Sequence, residues 1–235
     1  NALGHAKKTK DKYLIGNALD WLAIASFWKS IGIEDPDKRT ETLQKALHYA
    51  EKAKDNFSSI SFISPRGGVL WTGAPYTEYY WELAQCETDL KKRRDLLEKA
   101  IMNEASIMKL AESTRYPEII GYAHHALSKA LGSLAQIETN LEEKRKLLEK
   151  AFEHLNESMK ISDQLERYVY WNLGIIWCNY ADFKADFSDV ERNTENRKNV
   201  LEEAISFMER GLPLCTKHIS YVEKKGDLSF SSVLG

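Results

Sequence analysis

Apolar and small residues recur every three or four positions in four separate segments of this chain, with Lys and Glu between them. This spacing predicts four α-helices with one apolar face each, which we call the B helices. Their stripes lie within residues 43–53, 96–110, 147–159 and 200–212. Sustained alternation of apolar and polar residues, which a β-sheet needs, is missing. The pattern therefore predicts an all-α protein.

Four segments richer in aromatic residues precede the B segments and are predicted to form the A helices. They cover about residues 13–29, 76–86, 117–137 and 167–182. Polar stretches at 34–39, 88–94, 138–146 and 182–198 separate each A segment from its B segment. Asp35-Pro36 is a helix-start signal, because proline fits the first helical turn. We expect about four antiparallel A–B helix pairs.

The pairs are copies of one another. Leu-Ala-Gln-Cys-Glu-Thr-Asp-Leu at 83–90 returns as Leu-Ala-Gln-Ile-Glu-Thr-Asn-Leu at 134–141. The same offset separates Ala100 from Ala151 (151 − 100 = 51), and fainter copies lie at 43–47 and 201–205. Self-similarity at a fixed period indicates a repeat array, in which each unit buries its apolar face by stacking on the next.

Three segments depart from the repeat. Residues 58–75 hold two Pro and three Gly together with Trp71, which predicts an irregular loop that either packs on the array or touches a ligand. Residues 221–235 are predicted as a C-terminal extension of a repeat domain at 1–220. Residues 2–13 resemble 46–57, so the chain opens with a B-type helix that has no A partner. We expect Leu3 and Ala6 to be exposed or covered by another chain, and the sequence to be a piece of a larger protein.

Composition narrows the function classes. Hydrophobic residues are 43% and charged residues 29%, and the net charge is −2. This balance provides no basic field for nucleic acid or an anionic membrane. No apolar run approaches the ~20 residues of a membrane span. Cys86, Cys178 and Cys215 are widely spaced, as in a protein with reduced thiols. We expect a cytoplasmic protein.

Catalytic motifs are missing as well. The chain has no phosphate-binding Gly-Lys-Ser/Thr loop, no His-Glu-x-x-His and no calcium loop. His124 and His125 are neighbours on one helix and point about 100° apart, so both do not grip one metal. We expect one of them to face a groove and the other to pack. The prediction is a protein that is no enzyme and carries no cofactor and no metal.

The B helices resemble the second helix of the tetratricopeptide repeat. That family places a small residue, a bulky one four later and a small one three after that, as Ala151, Leu155 and Ser158 do. Ala204, Met208 and Gly211 also match, whereas Glu104 departs from the pattern in the B helix at 96–110. Tyr170, Leu173, Gly174 and Trp177 resemble the family's first helix. The period exceeds 50 residues, against about 34 in the family, so the helices or turns must be longer.

The resemblance implies a right-handed superhelix of antiparallel helix pairs, a tetratricopeptide-like α-solenoid whose A helices line a concave wall. It implies a protein-interaction scaffold that binds a peptide or a partner helix in an aromatic-lined groove. A small-molecule sensor module of a signalling ATPase or transcription regulator is the alternative. Self-association through uncapped repeat ends is also expected. The family's register assigns binding to Asn17, Asp20, Phe27, Glu78, Trp81, Gln85, Lys129, Ser133, Gln136, Tyr168, Trp171 and Cys178.

Overall fold

The computed structural model describes residues 2–58, 69–114, 117–164 and 169–225. Throughout these ranges the chain is helical apart from short turns and forms no strand, which confirms the all-α prediction. None of the helices in these ranges has the length and hydropathy that crossing a bilayer requires. The helices are α1 (Ala2–Thr9), α2 (Lys12–Ile31), α3 (Pro36–Ser58), α4 (Val69–Cys86), α5 (Leu90–Thr114), α6 (Pro117–Gln136), α7 (Leu141–Gln164), α8 (Val169–Ser188) and α9 (Thr194–Lys225).

The predicted A helices are α2, α4, α6 and α8, and the predicted B helices are α3, α5, α7 and α9. Two boundaries differ most from the prediction. Helix α4 begins at Val69, so Gly73 and Pro75 are helical; Pro75, in the second turn, leaves one main-chain hydrogen bond of the helix unmade. Helix α9 continues to Lys225, into the predicted extension. The rest of the predicted loop, 59–68, and residues 226–235 lie outside the described residues.

The chain divides into two compact units, Asn1–Ile119 and Ile120–Gly235. Unit 1 contains α1 to α5, and unit 2 contains α6 to α9, with the division in the first turn of α6. In unit 1, α2 and α3 run antiparallel: Leu19 clusters with Ala53 and Phe57, and Ala23, one turn later on α2, clusters with Ala50, one turn earlier on α3. Small residues on both helices allow this close packing.

Helix α1 lies against the α2–α3 pair. Leu3 packs on the cluster of Leu19, Ala53 and Phe57, and Ala6 is 6% exposed. The expectation that Leu3 and Ala6 would be exposed or covered by another chain is therefore wrong. Helices α2 and α3 of the same chain supply the apolar surface that these two residues bury.

Unit 2 repeats the antiparallel pairing. Ser158 Oγ of α7 donates a hydrogen bond to the Gly121 carbonyl of α6 at 2.8 Å. Helices α8 and α9 approach closely at two glycines: a Cβ atom on Gly174 would lie 2.7 Å from Cys215 Sγ, and one on Gly211 would lie 2.9 Å from the Gly174 carbonyl oxygen. Only glycine fits such a contact.

Aromatic rings from three helices pack together in unit 2. Phe207 of α9 lies 4.7 Å from Tyr180 and 5.3 Å from Trp177, both of α8, measured between ring centroids. Cations cover the cluster, with Lys184 Nζ 5.2 Å from the centre of the Phe152 ring. We call this group the aromatic cluster; its members are Phe152, Trp177, Tyr180, Phe183, Phe187 and Phe207.

Every B helix begins with the same cap. Asp89 Oδ1 accepts hydrogen bonds from the main-chain amides of Lys91 and Lys92, and the Asp89 amide donates to Glu87 Oε1. This arrangement pairs amides that would otherwise have no partner in the first helical turn. The capping residues are Asp35, Asp89, Asn140 and Asn193, and the last three have a Glu two positions earlier that accepts from the cap amide.

Candidate binding groove between helices α3 and α5

Two neighbouring clefts open on unit 1 between α3 and α5, with α4 as their floor. Lys99 borders both, so they form one surface, which we call the α3–α5 groove. The wider cleft measures about 410 Å³ and is lined by Glu51, Lys54, Asp55, Tyr76, Tyr80, Lys99, Met102 and Asn103. The narrower cleft measures about 290 Å³ and is lined by Thr40, Gln44, Leu83, Cys86, Glu87, Lys92, Asp95, Leu96 and Lys99.

Helical spacing explains why these residues share one surface. On α4, Tyr76, Tyr80 and Leu83 are separated by four and three positions, which places them on one face, and Glu87 follows directly after the helix end. The α3 and α5 lining residues follow the same spacing. An ion pair between Arg39 of α3 and Glu82 of α4, 2.6 Å between nitrogen and oxygen, joins the two helices beside the narrower cleft.

Tyr76 is the most buried of the residues that line the groove. It is 2% exposed, and its hydroxyl has no hydrogen-bond partner among the residues that the structure describes. Burial, with the carboxylates of Glu51 and Asp55 adding to it, raises the pKa of the Tyr76 hydroxyl above its usual range. The hydroxyl therefore stays protonated and offers both a donor and an acceptor inside the wider cleft.

A polar network lies behind the wider cleft. Asn103 Nδ2 donates to Thr77 Oγ1 at 3.3 Å, and Thr77 Oγ1 donates to the carboxylate of Glu104. Glu104 is fully buried, and burial raises its pKa to about 8, against the opposing effect of the Thr77 hydrogen bond. Its Oε1 atom has no partner. The carboxyl is therefore largely neutral at pH 7 and fixes α4 against α5.

Unit 2 contains a filled counterpart of the wider cleft. The caps at Asp35 and Asn140 are 105 residues apart (140 − 35), and those at Asp89 and Asn193 are 104 apart (193 − 89). These offsets pair Tyr76 with Tyr180, Glu51 with Asn156, Leu47 with Phe152 and Asn103 with Phe207. Tyr180 donates a hydrogen bond to Asn156 and packs on Phe207.

Tyr76 and Tyr180 therefore occupy equivalent positions in the two units, but only the Tyr180 hydroxyl has a hydrogen-bond partner among the described residues. In unit 2 the side-chain oxygen of Asn156 accepts a hydrogen bond from the Tyr180 hydroxyl, and aromatic rings occupy the space beside it. In unit 1 the aromatic ring is replaced by Asn103, the amide is replaced by Glu51, and a cleft remains with an unpaired hydroxyl in its wall. Since buried hydroxyls are normally paired, this difference marks Tyr76 as a candidate ligand-binding residue.

The predicted site residues of unit 1 lie on α2 and α4, and none of them borders the α3–α5 groove. Phe27 packs in the core, 5.0 Å from Tyr79 between ring centroids. Asp20 and Glu78 both act on Tyr79, whose pKa is raised mainly by burial and then by these two carboxylates. Gln85 accepts a hydrogen bond from Arg93 at 3.2 Å. Asn17 and Trp81 are half-buried. A binding role for these six residues stays a prediction.

The predicted residues of unit 2 lie on α6 and α8. Lys129 is half-buried and Ser133 is buried, whereas Gln136 is exposed and donates to Asp186 at 3.1 Å. Cys178 lies at the α8–α9 contact beside Cys215, and burial raises its pKa to about 11. Tyr168 lies outside the described residues, as does the side chain of Trp171. These assignments also stay predictions.

The two adjacent histidines contact different helices, and the expectation that one faces a groove stays a prediction. His124 Nδ1 lies 2.9 Å from Nδ1 of His154 on α7, and His125 Nε2 lies 2.7 Å from the amide of Asn179 on α8. Burial, and then His124, lower the pKa of His154. Among the described residues, no three His, Cys, Asp or Glu side chains come together as a metal site would require.

Comparison with known proteins adds no functional assignment. No protein-family model matches this chain, and no curated protein matches it significantly. A solved structure described as "DHF58 filament" aligns with a TM-score of 0.43 and 19% sequence identity, over 88% of this chain and 98% of that one. Similarity this weak establishes neither a shared fold nor a shared function.

Proposed function

We propose that this protein is a protein-interaction scaffold that takes an extended peptide segment of a partner in the α3–α5 groove. The observation that carries the proposal is the open cleft bordered by Tyr76, whose buried hydroxyl has no partner among the described residues, at the position that aromatic rings fill in unit 2. An unpaired buried hydroxyl costs roughly 1–3 kcal/mol. A bound segment that pairs with it would recover this cost.

The dimensions of the groove suit a short peptide. Its lining on α3 runs from Thr40 to Asp55, which corresponds to about 22 Å at 1.5 Å per residue. An extended chain covers that length with about seven residues. The rim is polar and the floor holds Tyr76, Tyr80 and Leu83, which is the usual distribution at protein interfaces.

The proposed architecture remains a tetratricopeptide-like right-handed superhelix. It is supported by the recurring cap, which starts all four B helices at intervals close to the sequence period. The antiparallel A–B pairs within each unit also support it. In such an array the α3–α5 groove lies between successive B helices, whereas the residues predicted from the family register line the A helices.

Peptide display on the purified chain tests the proposal. Random dodecapeptides on phage are panned against it, and isothermal titration calorimetry measures the affinity of the selected peptides. The decisive variant is Asn103→Phe, which places the ring of Phe207 at its counterpart position and fills the wider cleft. We expect at least a tenfold loss of peptide affinity.

The matched control is Ala105→Phe, which adds the same ring at an exposed position of α5 outside both clefts. It should bind the peptides with unchanged affinity, and circular dichroism melts establish that both variants fold. If no peptide is selected, or if the selected peptides bind Asn103→Phe as tightly as the parent protein, the proposed function is wrong.

A small-molecule sensor is the second candidate, and the volume of the wider cleft favours it. About 410 Å³ lies within the size range of small-ligand pockets, although this cleft is open and polar. A thermal-shift screen with metabolites separates the candidates. A melting-temperature rise that Asn103→Phe abolishes would support the sensor.

A further inference from the structure

Glu51 and Asp55 place two carboxylates on the α3 side of the wider cleft. Both are exposed, they lie four positions apart on the same helical face, and neither has an ion-pair partner among the described residues. Like charges at this spacing repel each other. Within the described part of the fold, neither carboxylate is therefore engaged in a direct ion pair, and both remain available to a ligand.

The Tyr76 hydroxyl lies in the same cleft. It is buried and unpaired, and its oxygen can accept a hydrogen bond. The rings of Tyr76 and Tyr80 lie 6.3 Å apart between centroids and provide aromatic surface beside the carboxylates. Lys54 already places its ammonium 5.6 Å from the centre of the Tyr76 ring, so this environment accepts a cation.

We infer that the wider cleft binds an arginine side chain of the partner peptide, an inference that rests on the proposed function. A guanidinium group has five N–H donors in one plane and no acceptor. It can donate to both carboxylates and to the Tyr76 oxygen while its face lies on Tyr80. Lysine offers a single point charge and serves fewer of these acceptors.

Two lysines border the same cleft and oppose a cationic ligand. Lys99 is exposed on the α5 side, and Lys54 is half-buried on the α3 side. Lys54 is the closer competitor, because its ammonium lies over the ring that lines the site. Removing the charge of Lys54 should therefore strengthen arginine binding, whereas at an anion site the same change would weaken binding.

Methionine-methyl NMR gives a local readout. The chain has 4 methionines, and Met102 lies in the wider cleft with 73% of its surface exposed. The probe is N-acetyl-arginine-N-methylamide, titrated into protein with ¹³C-labelled methionine methyl groups, and Met102→Leu assigns the signal. We expect a saturable shift of the Met102 signal at millimolar concentrations, and no shift with the neutral isostere N-acetyl-citrulline-N-methylamide.

Four variants complete the test. Glu51→Gln with Asp55→Asn should weaken binding of the arginine probe at least tenfold, and Lys54→Met should strengthen it at least twofold. Glu41→Gln alters an α3 carboxylate that is outside both clefts and paired with Lys45, and it should bind like the parent protein. Tyr76→Phe should weaken binding while the fold is retained.

Several results would overturn the inference: no shift with the arginine probe, equal shifts with the citrulline probe, or affinity that is unchanged in the double variant. A shift with N-acetyl-glutamate-N-methylamide instead would assign the cleft to an anion held by Lys54 and Lys99. A further outcome is that phage display selects peptides that lack basic residues and whose binding is lost in Asn103→Phe. That result would support the proposed function and contradict the arginine assignment.

Discussion

Thr77 of α4 donates a hydrogen bond to the carboxyl group of Glu104 on α5, and the carboxyl group is fully buried. At the equivalent position of α7 the repeat has Leu155, which is also fully buried. Unit 1 therefore holds a polar contact between two helices where the neighbouring repeat holds an apolar side chain. A buried carboxyl is stable in such a place mainly in its neutral form.

Stability of unit 1 should therefore depend on pH through Glu104. Its pKa rises from the ordinary value of 4.5 to about 8 on folding, so the folded state keeps a proton that the unfolded state loses. The contribution of Glu104 to the free energy of unfolding is fully present below pH 4.5. It decreases as the pH rises from 4.5 to about 8, by roughly 1.4 kcal/mol per pH unit at most. Urea melts at pH 5 and pH 8 measure the difference.

Glu104→Gln is the informative variant, because its amide oxygen can still accept from Thr77 and it does not ionise. We expect it to be more stable than the parent protein at pH 8 and similar at pH 5. Glu98→Gln, at an exposed position of α5, is the control and should leave the pH profile unchanged. Parallel profiles for the parent protein and Glu104→Gln would refute the assignment.

The equivalent tyrosines make a matched pair of hydroxyl deletions. Tyr180→Phe removes a hydrogen bond and leaves Asn156 without its donor, so we expect a loss of about 1 kcal/mol or more. Tyr76→Phe removes a hydroxyl that has no partner, so stability should stay the same or rise by up to about 1 kcal/mol. Urea unfolding of both variants decides this, and equal losses would contradict the pairing seen here.

The α8–α9 contact should not tolerate a larger side chain. In Gly211→Ala the new methyl would lie 2.8 Å from Cys178 Sγ and 2.9 Å from the Gly174 carbonyl oxygen, and the main chain cannot yield without separating the helices. We expect a loss of roughly 1–3 kcal/mol. Gly32→Ala is the control, since its new methyl would lie 4.0 Å from the Lys29 carbonyl oxygen and its φ of −87° suits alanine. Thermal melts showing equal effects would count against this close packing.

The helix caps should each contribute measurably. Asn193→Ala leaves the amides of Glu195 and Asn196 without their acceptor, so we expect a loss of about 1 kcal/mol. Asn196→Ala alters an exposed residue of the same helix whose side chain caps nothing. Urea melts should separate the two variants, and a loss no larger for Asn193→Ala than for Asn196→Ala would argue against the cap.

The sequence predicted the helices well because their signals are local. Ala100 and Ala151 lie in apolar stripes, and the residues before each B helix contain its cap. Glu104 was recognised as a departure from the repeat, but its partner Thr77 lies 27 positions away on another helix. Sequence spacing within one helix does not reveal such a contact.

The α3–α5 groove could not be predicted in the same way. The family register directed attention to the A helices, whereas the clefts lie between B helices. The equivalence of Tyr76 and Tyr180 is hidden, because α4 and α8 share little sequence and only the caps give the offset between them. With the offset of 104 applied, Asn103 of unit 1 aligns with Phe207 of unit 2. This difference in the sequence is the feature that could have indicated the site.

The recurring caps also bear on how the chain folds. Each cap joins residues no more than three positions apart, so a B helix can start before any distant contact exists. The first tertiary step, pairing a B helix with the A helix before it, closes only a short turn. Folding of this kind is fast and leaves little time for exposed apolar faces to aggregate, because few contacts have to wait for remote parts of the chain. A growing polypeptide could complete one pair while the next is still being synthesised.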